Sequence, residues 1–235
     1  MGDFKEILKK DTVIQRTEEW YSLRENMLTA SDVATALGLN PYRTPKNLLM
    51  SKTSKKKGGR FESEATKHGN MYEDRAIERF CELTGHVVHN VGIFVHDEHK
   101  WLGGSPDGLT ETCELVEVKC PLTREIKHEI PEYYFPQVQV CMEILDVPKC
   151  YFIQYKPPDV EAGVNEILDI LEVPRDKNWF NENLPTMKRF WEDVMRYRDD
   201  ESLYSTLYGI DDDRICDLSD ITVPYHGDEY AFMDD

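Results

Sequence analysis

The run Leu115-Val116-Glu117-Val118-Lys119-Cys120 sets an acid and a base inside an otherwise apolar stretch. Side chains two apart on a strand share a face, so Val116 and Val118 are expected to face the core while Glu117 and Lys119 share the other side. Burying charge there is costly unless it is paired or meets a cation. Just upstream, Gly104-Ser-Pro-Asp-Gly-Leu places Asp107 at a tight Pro-Asp-Gly turn. Gly103 and Gly104 leave room for a backbone or ligand to approach closely.

If the strand ending near Ser105 pairs with Leu115–Cys120, two carboxylates and an ammonium converge. Carboxylate oxygens suit Mg²⁺, and a nearby lysine can orient or activate a water. Such a set would carry metal-dependent phosphodiester hydrolysis. A cross-strand ion pair is the plainer alternative, and in a chain that is 31% charged the pattern alone does not choose.

A length of 235 residues implies one domain, with room for a small appendage. Hydrophobic content of 40%, with 11% aromatic residues, suffices for a core and excludes disorder. No stretch approaches the roughly 18 apolar residues of a membrane span. The charged segment Met1–Lys10 lacks the apolar region of a secretory signal. Cys81, Cys113, Cys120, Cys141, Cys150 and Cys216 form no C-x-x-C pair. Their spacing fits neither a zinc site, a disulfide framework nor an iron–sulfur cluster. Reduced thiols in an intracellular protein, cytoplasmic or nuclear, are the reading.

The net charge of −17 is unevenly spread: from Asp199 onward, 12 acids face the single base Arg214. Residues 1–198 are therefore expected to form the body, and 199–235 an acidic tail that packs on it or binds a partner. A mildly acidic body does not exclude nucleic acid, though it predicts weak non-specific binding.

Apolar spacing predicts helices over Thr17–Leu28, His68–Thr84 (stripe Tyr72, Ala76, Phe80, Leu83), Glu132–Leu145 and Asn183–Arg198. Thr29-Ala30-Ser31-Asp32 supplies cap chemistry for a short helix, Asp32–Leu37. Ser31 at its start either caps or meets a phosphate, with Arg24 one helix earlier. Strands are expected at Val87–Val95, Lys100–Ser105, Leu115–Cys120, Tyr151–Tyr155 and Glu166–Val173, with Asp97-Glu98 in a turn. Lys52–Arg60 reads as a mobile basic loop, either solvated or touching a DNA backbone. The order implies an α/β sandwich with a mixed central sheet.

Several separate stretches resemble one family. They are Trp20-x-x-x-Arg24 with Thr29-Ala-Ser31, Gly69-x-x-Tyr-Glu73-x-x-Ala76, Ser105-Pro-Asp107-Gly-Leu, Glu117-Val-Lys119-Cys-Pro and Tyr134-x-x-Gln137-Val-Gln139. Together they resemble the lambda-exonuclease or YqaJ-type viral recombinase nucleases of the PD-(D/E)xK superfamily, from Trp20 to about Tyr155. The resemblance implies a mixed sheet flanked by helices with a restriction-endonuclease-like core. It implies that Asp107, Glu117 and the Val118 carbonyl hold Mg²⁺, with Mn²⁺ as a substitute, and that Asp97 is a further site acid. Lys119 would orient or deprotonate the attacking water, with Glu73 positioning metal or water. Arg24, Ser31, Ser105 and Gln137 would grip a terminal 5′-phosphate or orient the site. The implied activity is 5′-to-3′ degradation of one strand of linear double-stranded DNA from its ends, feeding a single-strand annealing protein. Assembly as a homo-oligomer is left open. An endonuclease of the same fold and a non-catalytic DNA-end-binding module are the rival readings.

Overall fold

Through residues 4–10, 13–55, 63–159 and 163–208, the computed structural model describes an α-rich amino-terminal half and a sheet-forming remainder. The first half holds α1 (Phe4–Lys10), α2 (Glu18–Glu25), β1 (Leu28–Thr29), α3 (Ala30–Ala36), α4 (Pro45–Thr53) and α5 (Glu64–Thr84). Then come β2 (Val88–His89), β3 (Phe94–Val95), β4 (Leu102–Gly104), β5 (Gly108–Thr110) and β6 (Leu115–Lys119). After these come α6 (Phe135–Leu145), β7 (Lys149–Lys156), β8 (Ile167–Pro174), α7 (Lys177–Asp199) and α8 (Glu201–Tyr208), the last of the described elements.

The main sheet has the order β2-β5-β6-β7-β8, with only the β6–β7 pair parallel. A smaller sheet, β1-β4-β3, stands beside it. Strand alternation splits β6 between two cores. Val116, Val118 and Cys120 join Ala76 and Phe80 of α5. Leu115 joins Val138 and Met142 of α6, Met187 and Trp191 of α7, and Val33 of α3. The mixed α/β sandwich is as the sequence implied. The face shared by Glu117 and Lys119 is not the open side, however, because α6 covers it and all five β6 residues are buried.

Local sequence explains the helix ends. Thr17 Oγ1 accepts the Trp20 N–H to start α2, Thr44 does the same for Asn47 ahead of Pro45, and Ser63 for Thr66. Gly85, at φ 77°, closes α5 in the left-handed conformation that glycine adopts without cost.

Several expectations are corrected. The helix drawn to Leu28 stops at Glu25, and Leu28–Thr29 pairs in parallel with Leu102–Gly103. Val87–Val95 is not one strand; it breaks into β2 and β3, which belong to different sheets. Leu83 stays 71% exposed, so the buried stripe of α5 is shorter than its periodicity suggested. Lys52 is no loop residue but lies in α4, and Lys56–Arg60 fall outside the described residues. Gly103 and Gly104 leave no room for a ligand. A side chain on Gly103 would meet Met27 Sδ at 2.3 Å, and one on Gly104 would meet Cys141 Sγ at 2.9 Å.

The division after residue 198 falls in the last turn of α7, and α8 continues to Tyr208 with Glu201 paired to Lys55. The guanidinium of Arg198 donates to the Lys52 carbonyl and, at 2.6 Å, to the Glu25 carbonyl. That clasp joins α7 to the ends of α4 and α2. No helix of the described residues is long and apolar enough to cross a membrane. None of the five described cysteines, Cys81, Cys113, Cys120, Cys141 and Cys150, is in a disulfide.

Candidate active site

The pairing that builds the site is not the one expected from sequence. β4 belongs to the smaller sheet, and it is β5, just after the Pro-Asp-Gly turn, that pairs with β6. Gly108 lies opposite Val116, so one step further Asp107 comes level with Glu117. The half-buried Asp107 accepts the Val118 N–H through Oδ2 at 2.6 Å. Its carboxylate thereby sits beside the Glu117–Val118 peptide, and a charge-assisted bond of this length is among the stronger ones.

Glu117 is fully buried. Its Oε1 accepts from Lys119 Nζ at 3.0 Å and from Gln137 Nε2 of α6 at 2.5 Å. Lys119 also lies over the Tyr134 ring, 4.9 Å from its centroid. Gln137 was expected either to grip a phosphate or to orient the site. Its buried amide donates to Glu117. Burial, and then the Glu117 and Asp107 carboxylates, push the Cys141 thiol well above its ordinary value, while Lys119 and Arg24 pull it down. That one thiol feels all four charges, which puts Arg24 in the same electrostatic neighbourhood as the acids.

A second group of polar residues adjoins the first through Ser105. Trp20 Nε1 donates to Ser105 Oγ at 2.8 Å, and the Arg24 guanidinium stacks 4.3 Å from the Trp20 ring centroid. Arg24 Nη2 donates to Ser31 Oγ at 3.1 Å, and Ser31 Oγ meets Thr29 Oγ1 at 3.1 Å. Ser31 does not cap its helix, which starts one residue earlier at Ala30 behind Thr29.

Behind Ser31 stands Asp32, which accepts from Thr29 Oγ1 at 2.8 Å and pairs with Lys52 at 2.8 Å and Arg43 at 3.6 Å. Burial pushes the Asp32 carboxyl up, but Lys52, then Arg43, more than offset it and hold it at about 2. Lys52 also donates to the Arg24 carbonyl at 2.9 Å, fixing the end of α2.

Glu73 lies on α5 and accepts from Arg16 Nη2 at 2.8 Å. Arg16 follows Gln15, whose side-chain amide donates to the carbonyl of Pro106 at 2.8 Å. Glu73 is thus tethered near the Asp107 turn. Asp97 is not brought to the site, which corrects the expectation from sequence. Phe94 pairs with Gly104 and Val95 with Gly103, so the chain beyond Val95 runs away from Ser105. Asp97 is exposed in the β3–β4 turn and held low by a 2.6 Å bond from Lys10 Nζ.

Among the described residues no three His, Cys, Asp or Glu side chains form a metal-binding group. Asp107 and Glu117 are two hard oxygen donors on adjacent strands. Mg²⁺ is commonly held by only one or two carboxylates, with waters and substrate phosphates completing its shell, so this donor set fits that ion.

Sequence reasoning missed Trp20, Asp32, Lys52 and Tyr134 as site residues. The i, i+4 spacing of Trp20 and Arg24 was visible and is what lets the guanidinium lie on the ring. The long-range pairing of Asp32 with Lys52 left no local trace.

Residues 19–147 match the YqaJ-like viral recombinase domain family model, more than half of the chain. An uncharacterised protein of Acanthamoeba polyphaga mimivirus is 28% identical over 174 residues, covering 66% of this chain and 31% of that protein. A protein of African swine fever virus is 29% identical over 166 residues, covering 56% of this chain and 46% of its own length. The chain thus spans a third to a half of these relatives. Among solved structures, the alkaline exonuclease LHK-Exo from Laribacter hongkongensis aligns with a TM-score of 0.67 at 24% identity. That alignment covers 82% of this chain and 100% of LHK-Exo, a shared fold.

Proposed function

Because this chain belongs to the YqaJ-like viral recombinase domain family, we propose that it is a Mg²⁺-dependent exonuclease acting on double-stranded DNA from a 5′-phosphorylated end. The observation that carries the reading is the convergence of Asp107, Glu117 and Lys119 at adjoining strand ends, joined through Ser105 to Trp20, Arg24 and Ser31. An anion-binding group next to a set of hard oxygen donors suits an enzyme that holds a terminal phosphate while the neighbouring ester is cut.

Asp107, Glu117 and the Val118 carbonyl would hold the ion. Bound there, Mg²⁺ supplies Lewis acidity toward a phosphoryl oxygen and lowers the pKa of a water. Gln137 and Lys119 fix the Glu117 carboxylate from two sides. Lys119 presents an ammonium to charge developing on the phosphate and orients the attacking water through its N–H groups. Glu73, held by Arg16, would help position the ion or that water. Arg24 and Ser31 donate to the terminal phosphate, so the protein engages an end rather than an interior position. Digestion from that end moves 5′ to 3′ and exposes a 3′ overhang, the substrate of a single-strand annealing protein.

The test is digestion of end-labelled linear duplex in Mg²⁺ and in EDTA, reading product polarity, beside covalently closed duplex. Mononucleotides released from the 5′ end of linear DNA alone, with none in EDTA, are the expected result. Cutting of closed circles overturns the exonuclease reading, and binding without any hydrolysis overturns the enzymatic one.

A further inference from the structure

We propose that Arg16 is a positioning residue for Glu73, carried by a strap at residues 13–17 that sets the distance between helix α5 and the Asp107 turn. The inference rests on the metal-nuclease reading above.

The strap is tied at every step. Val13 is buried and its carbonyl accepts the Ile93 N–H at 3.3 Å. Gln15 places one side-chain amide on two carbonyls, Val91 and Pro106, each at 2.8 Å. Pro106 is the residue before Asp107. Thr17 caps α2, the helix that carries Trp20 and Arg24. Between Gln15 and Thr17, Arg16 sits at φ 65°, one of three non-glycine residues with positive φ among the described residues.

From that strained position its guanidinium reaches α5, donating to Glu73 Oε2 at 2.8 Å and Asn70 Oδ1 at 3.0 Å. The Arg16 side chain is 50% exposed and that of Glu73 25%. An ion pair this exposed contributes little to stability and does not account for a left-handed arginine backbone. Strain of this kind gathers where geometry serves a site. The strap touches the turn bearing Asp107, the helix bearing Glu73 and the helix bearing Arg24.

Arg16→Asn is the discriminating variant, because asparagine tolerates the left-handed backbone while the guanidinium is lost. It is measured beside Arg16→Lys, Glu73→Gln and the Arg16→Asn/Glu73→Gln double variant. The readouts are the Mg²⁺ concentration for half-maximal hydrolysis, Ca²⁺ binding by calorimetry without DNA, and the melting temperature. Arg16→Asn should raise the half-saturating Mg²⁺ concentration and weaken Ca²⁺ binding by about tenfold, the scale of outer-shell effects on metal sites. Its melting temperature should stay near wild type, Arg16→Lys should recover part of the loss, and the double variant should be no worse than Glu73→Gln. Wild-type metal dependence in Arg16→Asn, or additive losses in the double variant, overturns the strap. If Asp107→Ala has meanwhile abolished hydrolysis, the nuclease reading survives that failure. A wild-type protein that hydrolyses nothing overturns both.

Discussion

The indole N–H of Trp20 meets the hydroxyl of Ser105 at 2.8 Å, and this single bond joins the arginine-bearing helix α2 to the turn that presents Asp107 two residues later. On the proposed reading, the residues that would grip an end and the acids that would serve cleavage are thereby tied together. Trp20→Phe keeps the ring that Arg24 stacks on and removes only the donor. A neutral hydrogen bond contributes about 1 kcal/mol, so hydrolysis of 5′-phosphorylated duplex should fall roughly fivefold. Steady-state digestion of 5′-phosphorylated and 5′-hydroxyl duplexes checks this, with the larger loss expected on the phosphorylated substrate.

Asp107→Asn and Glu117→Gln preserve shape while removing negative charge. Each should lower the rate of hydrolysis by about a hundredfold or more, the scale seen when a charge-stabilising group is lost. Duplex binding measured by fluorescence anisotropy in EDTA should persist, since neither carboxylate attracts a phosphate.

Arg24→Ala should act on end choice rather than chemistry. A hydrogen bond to a charged group contributes about 1.5–3 kcal/mol, so the preference for 5′-phosphate over 5′-hydroxyl ends should shrink by roughly ten- to a hundredfold. Competition between the two substrates in one tube gives the ratio directly. An unaltered ratio removes Arg24 from the pocket.

Asp32 makes the fold sensitive to acid. Its carboxyl is held at about 2 in the fold against an ordinary 3.8, so the unfolded chain binds its proton first as pH falls. The stabilisation, on the order of 2 kcal/mol, is therefore complete above about pH 4 and lost between there and about pH 2. Urea midpoints across that window should fall more steeply for wild type than for Asp32→Asn. At pH 7 the variant should already be the less stable, because Lys52 and Arg43 lose their counter-charge.

What could be read from the chain alone follows from how local each determinant is. Glu117 and Lys119 were legible because strand alternation is a two-residue rule, and Asp107 because Pro-Asp-Gly is a turn wherever it stands. The face they occupy was misjudged, since nothing near β6 announces that α6 will cover it. Met27 repeats the apolar spacing of α2 and drew that helix too far, although Asn26 already caps it. α4 escaped notice despite Thr44-Pro45, a local start signal, because its apolar pattern is weak. Asp97 looked like a site acid by order in the chain, and only the β3–β4 register shows that it points away. The tethers of Asp32 to Lys52 and Arg16 to Glu73 span 20 and 57 positions, beyond any periodicity.

The Arg198 clasp binds carbonyls 146 and 173 positions earlier, at Lys52 and Glu25. During synthesis the segment around Arg24 and Ser31 leaves the ribosome long before its buttress exists. A nascent or prematurely ended polypeptide lacking α7 would therefore carry Arg24 and Ser31 without the brace that Arg198 supplies, and, on the proposed function, competence to seize a DNA end would arise only late in translation.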